Sequence, residues 1–267
     1  MKRPIASANR HVTAPHNTDR FTLLGGRLRL VQMKDGARTG IDPVLLAASV
    51  PIEQGVLLDV GAGIGTAGLC CLTRCPQLHL VAVERESELS RLAAINMDAN
   101  HMQGRMELIC ADWFDPSLRF GPNDCRPNGF DCVMTNPPFF QFSQGPASPD
   151  QIKAASRHQP EGYFARWFDL CIRRLKQGGV LITIIRAERL AELLAFLSHR
   201  CGAIELIPFW PRQDQAARLI VVRARKGRKT GLRIHPGLVL HPDKGQSGHY
   251  TMQAQSVLRD GAAIVPG

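Results

Sequence analysis

The chain has no apolar run near the roughly 18 residues of a membrane span, which speaks against a helix buried in lipid. Residues 1–20 hold Lys2, Arg3, Arg10 and Arg20 but no apolar stretch of signal-peptide type, so they read as a flexible basic tail. None of the eight cysteines forms a Cys-x-x-Cys pair. That argues against a zinc or redox motif, and for small buried hydrophobes in a reducing compartment. There is no internal repeat and no long low-complexity segment. Acids are in short supply: 23 Asp and Glu stand against 33 Lys and Arg, a net charge of +10. Such an excess suits a polyanionic partner and says nothing about fold.

What is present is one alternating pattern. With 267 residues the chain can bury one sizeable core. Phe21–Gln32 reads as a hairpin turning at Gly25-Gly26. Asp42 is expected to cap a helix over Val44–Val50, with Pro43 in its first turn. Strands are then expected at 56–60, 78–84, 106–111, 130–135, 180–185, 203–210 and 218–224. Helices are expected at 66–74, 87–100, 161–177, stopping at Gly178-Gly179, and 188–200. Strands spaced by helices imply parallel βαβ units. The predicted class is α/β: a doubly wound, mostly parallel, seven-stranded Rossmann-like sheet with an antiparallel edge strand. Residues 55–225 form the main domain, 21–54 lie over its ligand site, and 226–267 are an extension with a possible edge strand at Leu238–Leu240.

Two motifs carry chemistry. The first, Asp59-Val60-Gly61-Ala62-Gly63-Ile64-Gly65, follows a buried strand and opens a helix. Glycines let the chain turn sharply and let a ligand approach the backbone. Glu84 at the end of the next strand can accept hydrogen bonds from ribose hydroxyls, so a nucleoside-bearing ligand is expected. Gly63-x-Gly65-x-x-Gly68 also meets the dinucleotide spacing, which keeps an NAD-dependent oxidoreductase open. The second motif is Thr135-Asn136-Pro137-Pro138-Phe139-Phe140. An aromatic amine is a poor nucleophile because its lone pair is delocalised into the ring. The Asn136 side-chain carbonyl and the Pro137 backbone carbonyl can accept its two N–H bonds and favour a pyramidal nitrogen. Prolines fix φ near −65°, and Phe139 offers a stacking face worth about 1–3 kcal/mol to a flipped base. With strands ordered 3-2-1-4-5, this motif and the glycine loop meet at the switch point of the sheet.

Together these residues resemble the class I S-adenosylmethionine-dependent amino-methyltransferases with an Asn-Pro-Pro-Phe/Tyr motif. Within that class the chain resembles the bacterial family that methylates N6 of adenine beside the anticodon of a valine tRNA. The resemblance runs from about Phe21 onward. It includes Gln32, Arg38–Ala48, Ala217-Arg218, Lys226-Gly227, Tyr250-Thr251 and Val257–Gly261. It implies S-adenosylmethionine as cofactor, held by Asp42, Asp59, Gly61, Gly63, Gly65, Glu84, Asp112 and Trp113. In the family, an Asp at position 112 meets the exocyclic amine of the cofactor's adenine. Asn136, Pro137 and Phe139 would be catalytic. Family members often have Tyr where this chain has Phe139 and Phe140, so a phenol contact is absent.

The expected partner is nucleic acid, tRNA above all, with no membrane and no metal. A monomer or weak dimer in the cytoplasm is expected. Phe140, Arg157, Arg218, Arg225 and Lys226 are candidate substrate contacts. The last three belong to a basic run from Arg212 to Arg233 that fits phosphate tracking. The loop 141–150 could fold over the flipped base. Guanine N2 in rRNA, adenine in DNA and protein glutamine present the same planar NH₂ and remain alternatives.

Overall fold

The computed structural model describes residues 17–35, 38–118, 129–137, 162–243 and 247–264. Pro138, Phe139, Phe140, Arg157 and the loop 141–150, singled out above, lie outside the described residues.

An antiparallel hairpin comes first: β1 (Thr18–Leu23) and β2 (Leu28–Met33). A short 3-10 turn joins them, with Gly25 at φ 65° and Gly26 at φ 89°, a left-handed backbone that glycine adopts without steric cost. Helix α1 (Asp42–Ala48) follows. The main sheet has nine strands. Five are parallel: β3 (Gln54–Val60), β4 (Gln77–Glu84), β5 (Met106–Cys110), β6 (Phe130–Thr135) and β7 (Leu175–Arg186). They lie side by side as β5-β4-β3-β6-β7, the order expected from the sequence.

β8 (Cys201–Trp210) and β9 (Leu219–Lys226) complete the sheet, and β9 alone is antiparallel to its neighbours. It is inserted between β7 and β8 and so lies inside the sheet; the sequence reading expected an antiparallel strand at an edge without assigning its residues. The outer flank of β8 is taken by the two-residue strands β10 (Arg233–Ile234) and β11 (Leu238–Val239).

Alternation decides which side chain faces which layer. On β7, Val180, Ile182 and Ile184 join the core beneath α1, α2 (Thr66–Arg74) and α6 (Met252–Asp260). Leu181 and Ile185 face the opposite core, under α4 (Tyr163–Arg174) and α5 (Leu190–Leu197). Both faces are covered, as a parallel sheet requires. α4 buries Phe164, Trp167, Phe168, Cys171 and Ile172, the i, i+3, i+4, i+7, i+8 stripe of an amphipathic helix.

Two boundaries differ from expectation. α4 ends at Arg174, and β7 begins at Leu175. The buried Leu175 pairs with Phe130, and pairing resumes only at Cys132 with Val180. Gly178 and Gly179 therefore sit in an irregularity of the strand and are not a helix stop. α6 is an element that composition did not reveal. The Thr251 hydroxyl caps it by accepting from Ala254 N–H at 3.1 Å, and Gly261 ends it at φ 67°. Among the described residues no helix is long and apolar enough to cross a membrane.

Candidate active site

Registry brings the two motifs together. Val60 pairs with Thr135, so Gly61 and Asn136, one residue further on, leave the sheet side by side at the carboxyl ends of β3 and β6. This is the switch point, where the chain crosses from one half of the sheet to the other and leaves a crevice.

The loop adopts φ values of 72°, 58° and 84° at Gly61, Gly63 and Gly65, so a side chain at any of them would be strained. Gly61 N–H and Ala62 N–H both donate to the Val83 carbonyl, at 2.9 and 3.1 Å. Glu84 is buried and holds the turn directly. Its Oε2 accepts from Gly63 N–H at 2.7 Å and its Oε1 from Glu86 N–H at 2.9 Å. A Cβ on Gly63 would meet nothing within 4 Å, so the loop is open on that side. Gly68 differs: a Cβ there would lie 2.4 Å from a Leu80 methyl. Its absence lets α2 sit close on β4, which explains the third glycine without a dinucleotide.

Asp59 is 2% exposed. Its Oδ2 has no hydrogen-bond partner among the described residues. Burial pushes its carboxyl up to about 7; the Gly68 amide opposes the shift and the nearby Glu84 adds to it.

The first hairpin is tied to this loop by one side chain. Asn96 on α3 (Ser87–Ala99) is fully buried. Its Oδ1 accepts from Val31 N–H at 2.7 Å, and its amide donates to the carbonyls of Val31 and Ile64, at 3.1 and 2.9 Å. Gln32 then accepts from Thr39 N–H at 3.1 Å, which sets the segment leading into α1. Asp42 does not cap that helix. Ile41 occupies the cap position without a side-chain bond, and Asp42 lies in the first turn beside Pro43. Burial raises the Asp42 carboxyl, and the Arg186 charge opposes the shift.

Beneath the crevice runs a short relay. Trp167 donates its indole N–H to the Thr135 hydroxyl at 3.2 Å, and that hydroxyl donates to the Val60 carbonyl at 2.8 Å. A Cβ on Gly61 would lie 3.4 Å from the Trp167 ring. The rings of Phe114 and Tyr163 lie 4.6 Å apart and tilted at 47°, with Trp167 edge-on to Phe114 at 5.9 Å. Sequence reasoning missed Trp167, Phe114 and Tyr163. The sequence reading placed position 167 on a helix, but gave no sign that it lies against the glycine loop. Arg186, at the end of β7, was missed as well; its Nε is buried with no hydrogen-bond partner among the described residues.

The other expected residues divide. Asn136 is half-buried and Pro137 buried. Asp112 is exposed, and its Oδ1 accepts from Phe114 N–H at 2.8 Å, closing a turn. Trp113 is buried in the α4-side core, its indole N–H donating to the Trp167 carbonyl at 3.4 Å. Arg218 is exposed on the same edge of the sheet as the crevice. Arg225 and Lys226 lie at the other end of β9, on the opposite edge. Arg223 is buried, paired with Glu205 at 3.2 Å and donating from Nε to the Ser49 carbonyl at 2.8 Å. The basic run is therefore not one patch, because an antiparallel strand carries its two ends to opposite edges.

Residues 40–205 match the family model described as the methyltransferase small domain. The chain belongs to the methyltransferase small domain family. The match covers both motifs and α1, and it decides against the oxidoreductase reading of the glycine spacing. A protein of Shewanella halifaxensis named tRNA1(Val) (adenine(37)-N6)-methyltransferase is 30% identical over 169 residues. That alignment takes in 61% of this chain and 65% of the relative, so the chain spans just under two thirds of that relative's length. Among solved structures, a predicted O-methyltransferase of Agrobacterium tumefaciens, Atu636, superposes with a TM-score of 0.64 at 25% identity, over 84% of this chain and 98% of that one. M. jannaschii TYW2 in complex with AdoMet superposes with a TM-score of 0.54 at 14% identity, over 80% and 87% of the two chains. The methyltransferase domain is thus a Rossmann-like sheet with its crevice at Gly61 and Asn136.

Proposed function

We propose that the chain is an S-adenosylmethionine-dependent methyltransferase acting on an exocyclic amino group, N6 of adenine in a tRNA near its anticodon. The observation that carries this reading is the exit of Asn136-Pro137 beside the glycine loop. The names of the tRNA-modifying relatives support the substrate.

The residues fit the cofactor. An open Gly63, a buried Asp59 oxygen without a partner among the described residues and a Glu84 carboxylate with lone pairs to spare suit a ligand with hydroxyl donors and positive charge. When bound, the cofactor supplies an electrophilic methyl group. The chain supplies position. Gly61–Gly65, Glu84 and Asp59 bind; Asp42 and the segment before it cover the crevice; Asp112 lies at its rim. Trp113 has a different part: it packs beneath α4 and supports Trp167. Asn136 Oδ1 and the Pro137 carbonyl accept the two amine N–H bonds, and Phe139 stacks on the base. The amine gives up one proton to solvent once the new C–N bond has formed. The Atu636 likeness raises oxygen as an alternative acceptor. A hydroxyl would need a base to take its proton, and a side-chain amide is not one, so Asn136 favours nitrogen. Arg218, with Arg157 and Phe140 on the chain after the motif, would meet the RNA. A tRNA substrate places the work in the cytoplasm.

The test is methyl transfer from labelled cofactor to total tRNA, followed by nucleoside mass analysis. The expected product is N6-methyladenosine. Asn136→Ala should cost at least about 10²-fold in turnover and leave cofactor affinity within a few-fold. Labelled N2-methylguanosine, or a labelled protein with unlabelled tRNA, would replace this reading with one of the alternatives.

A further inference from the structure

The edge of the sheet opposite the crevice holds a cavity of about 490 Å³. Its walls are the turn after α5, at Ser198–Arg200, the start of β8, and the chain that leaves β9 at Gly227–Leu232. Backbone bonds join the walls: Gly227 N–H donates to the Arg200 carbonyl at 3.4 Å, and Ala203 N–H to the Thr230 carbonyl at 2.8 Å. A Cβ on Gly202 would lie 2.4 Å from the Arg228 carbonyl oxygen, so the two chains touch only because position 202 has no side chain.

The lining is basic. It includes His199, Arg200, Arg228 and Lys229 and, among the described residues, no Asp or Glu. Arg200 lies 3.5 Å from Asp169. Arg228 and Lys229 are exposed and form no ion pair with a described carboxylate. Arg225 stands beside them on the same edge.

We propose that this cavity is an anion site, separate from the crevice, which takes a phosphodiester of the nucleic-acid backbone; this rests on the tRNA reading above. Guanidinium forks match phosphate oxygens in pairs. The place along β9 fixes how far this site lies from the crevice edge. Six residue steps separate Leu219 from Arg225, roughly 20 Å at about 3.3 Å per residue. An RNA stem presents phosphates all along its length, so a stem that continues past the crevice carries some of them over that span. The cavity therefore meets a stem, while the crevice meets the reacting nucleotide. An isolated stem-loop too short to reach both edges would not feel it.

The experiment compares the full chain with Arg228→Ala/Lys229→Ala, two exposed substitutions, by fluorescence anisotropy on labelled whole tRNA and on a short anticodon stem-loop. The double variant should bind whole tRNA about tenfold more weakly, with the salt slope reduced by about two. Stem-loop affinity and S-adenosylmethionine affinity should not change. Tight tRNA binding by both proteins with equal salt slopes would overturn the anion site and leave the substrate reading intact. No tRNA binding by the unaltered chain would overturn both. Poly-glutamate competing as well as tRNA at this site would assign it to acidic peptides and overturn the phosphodiester.

Discussion

At the scale of single residues, Asp59 carries the most unusual chemistry. Its carboxyl is buried at the end of β3, has an oxygen without a partner among the described residues, and is raised from 3.8 to about 7. A carboxyl raised in the folded state favours its protonated form, so its contribution to stability is present below the unfolded value and is lost as pH rises through the folded one. Asp59→Asn mimics the protonated form. Between about pH 4 and 7 the unaltered chain should lose stability relative to this variant, by at most about 1.4 kcal/mol per pH unit. Urea denaturation of both proteins across that range checks it, and a constant difference would sink it. A cation beside Oδ2 reverses the preference, so cofactor affinity should rise with pH over the same window. The site residues split by kind in how far the sequence shows them. Glycines and the Asn136-Pro137 pair are visible because backbone conformation and acceptor chemistry dictate them locally. Trp167 and Arg186 are not, because their roles depend on which loop a distant helix or strand end comes to face.

At the scale of elements, the hairpin β1–β2 is held to the methyltransferase domain through α3. Asn96 satisfies both backbone groups of Val31 and the Ile64 carbonyl. Asn96→Leu keeps the volume and leaves those groups without partners, at about 1–3 kcal/mol for each one that stays buried. We expect a loss of about 2–4 kcal/mol, and proteolysis within residues 18–33 before the rest of the chain. Limited digestion followed by mass analysis checks it; a hairpin as resistant as before would remove Asn96 from its role. Elements with a clean period were legible: β3, β4, β6 and α2 fall within a residue or two of expectation. The start of β7 was not, because a glycine pair reads as a helix stop until the Phe130–Leu175 pairing is known. α6 was also missed, although Thr251 and Gly261 bracket it as caps. Asn96 gave no local sign, since one polar residue on the buried face of an amphipathic helix has no pattern.

At the scale of the whole molecule, the sequence told the strand order but not the address of each charge. Arg218, Arg223 and Arg225 are near neighbours in the chain, yet they lie at the crevice edge, in the interior and at the far edge respectively. The proposed tRNA binding, spread over two edges of a chain with a net charge of +10, would make several phosphate contacts. Affinity for tRNA should therefore fall at least about 10²-fold between about 50 and 200 mM salt, measured by filter binding; a flat response would mean that charge does not drive the association. The relay beneath the crevice has a practical consequence of another kind. Of the three tryptophans, Trp113 and Trp167 are joined by a hydrogen bond below Gly61, and Trp210 stands apart, bonded to the Pro236 carbonyl. With Trp210 replaced by Phe, all the indole fluorescence of the protein would come from beneath the glycine loop, an intrinsic optical probe of whether that loop is filled.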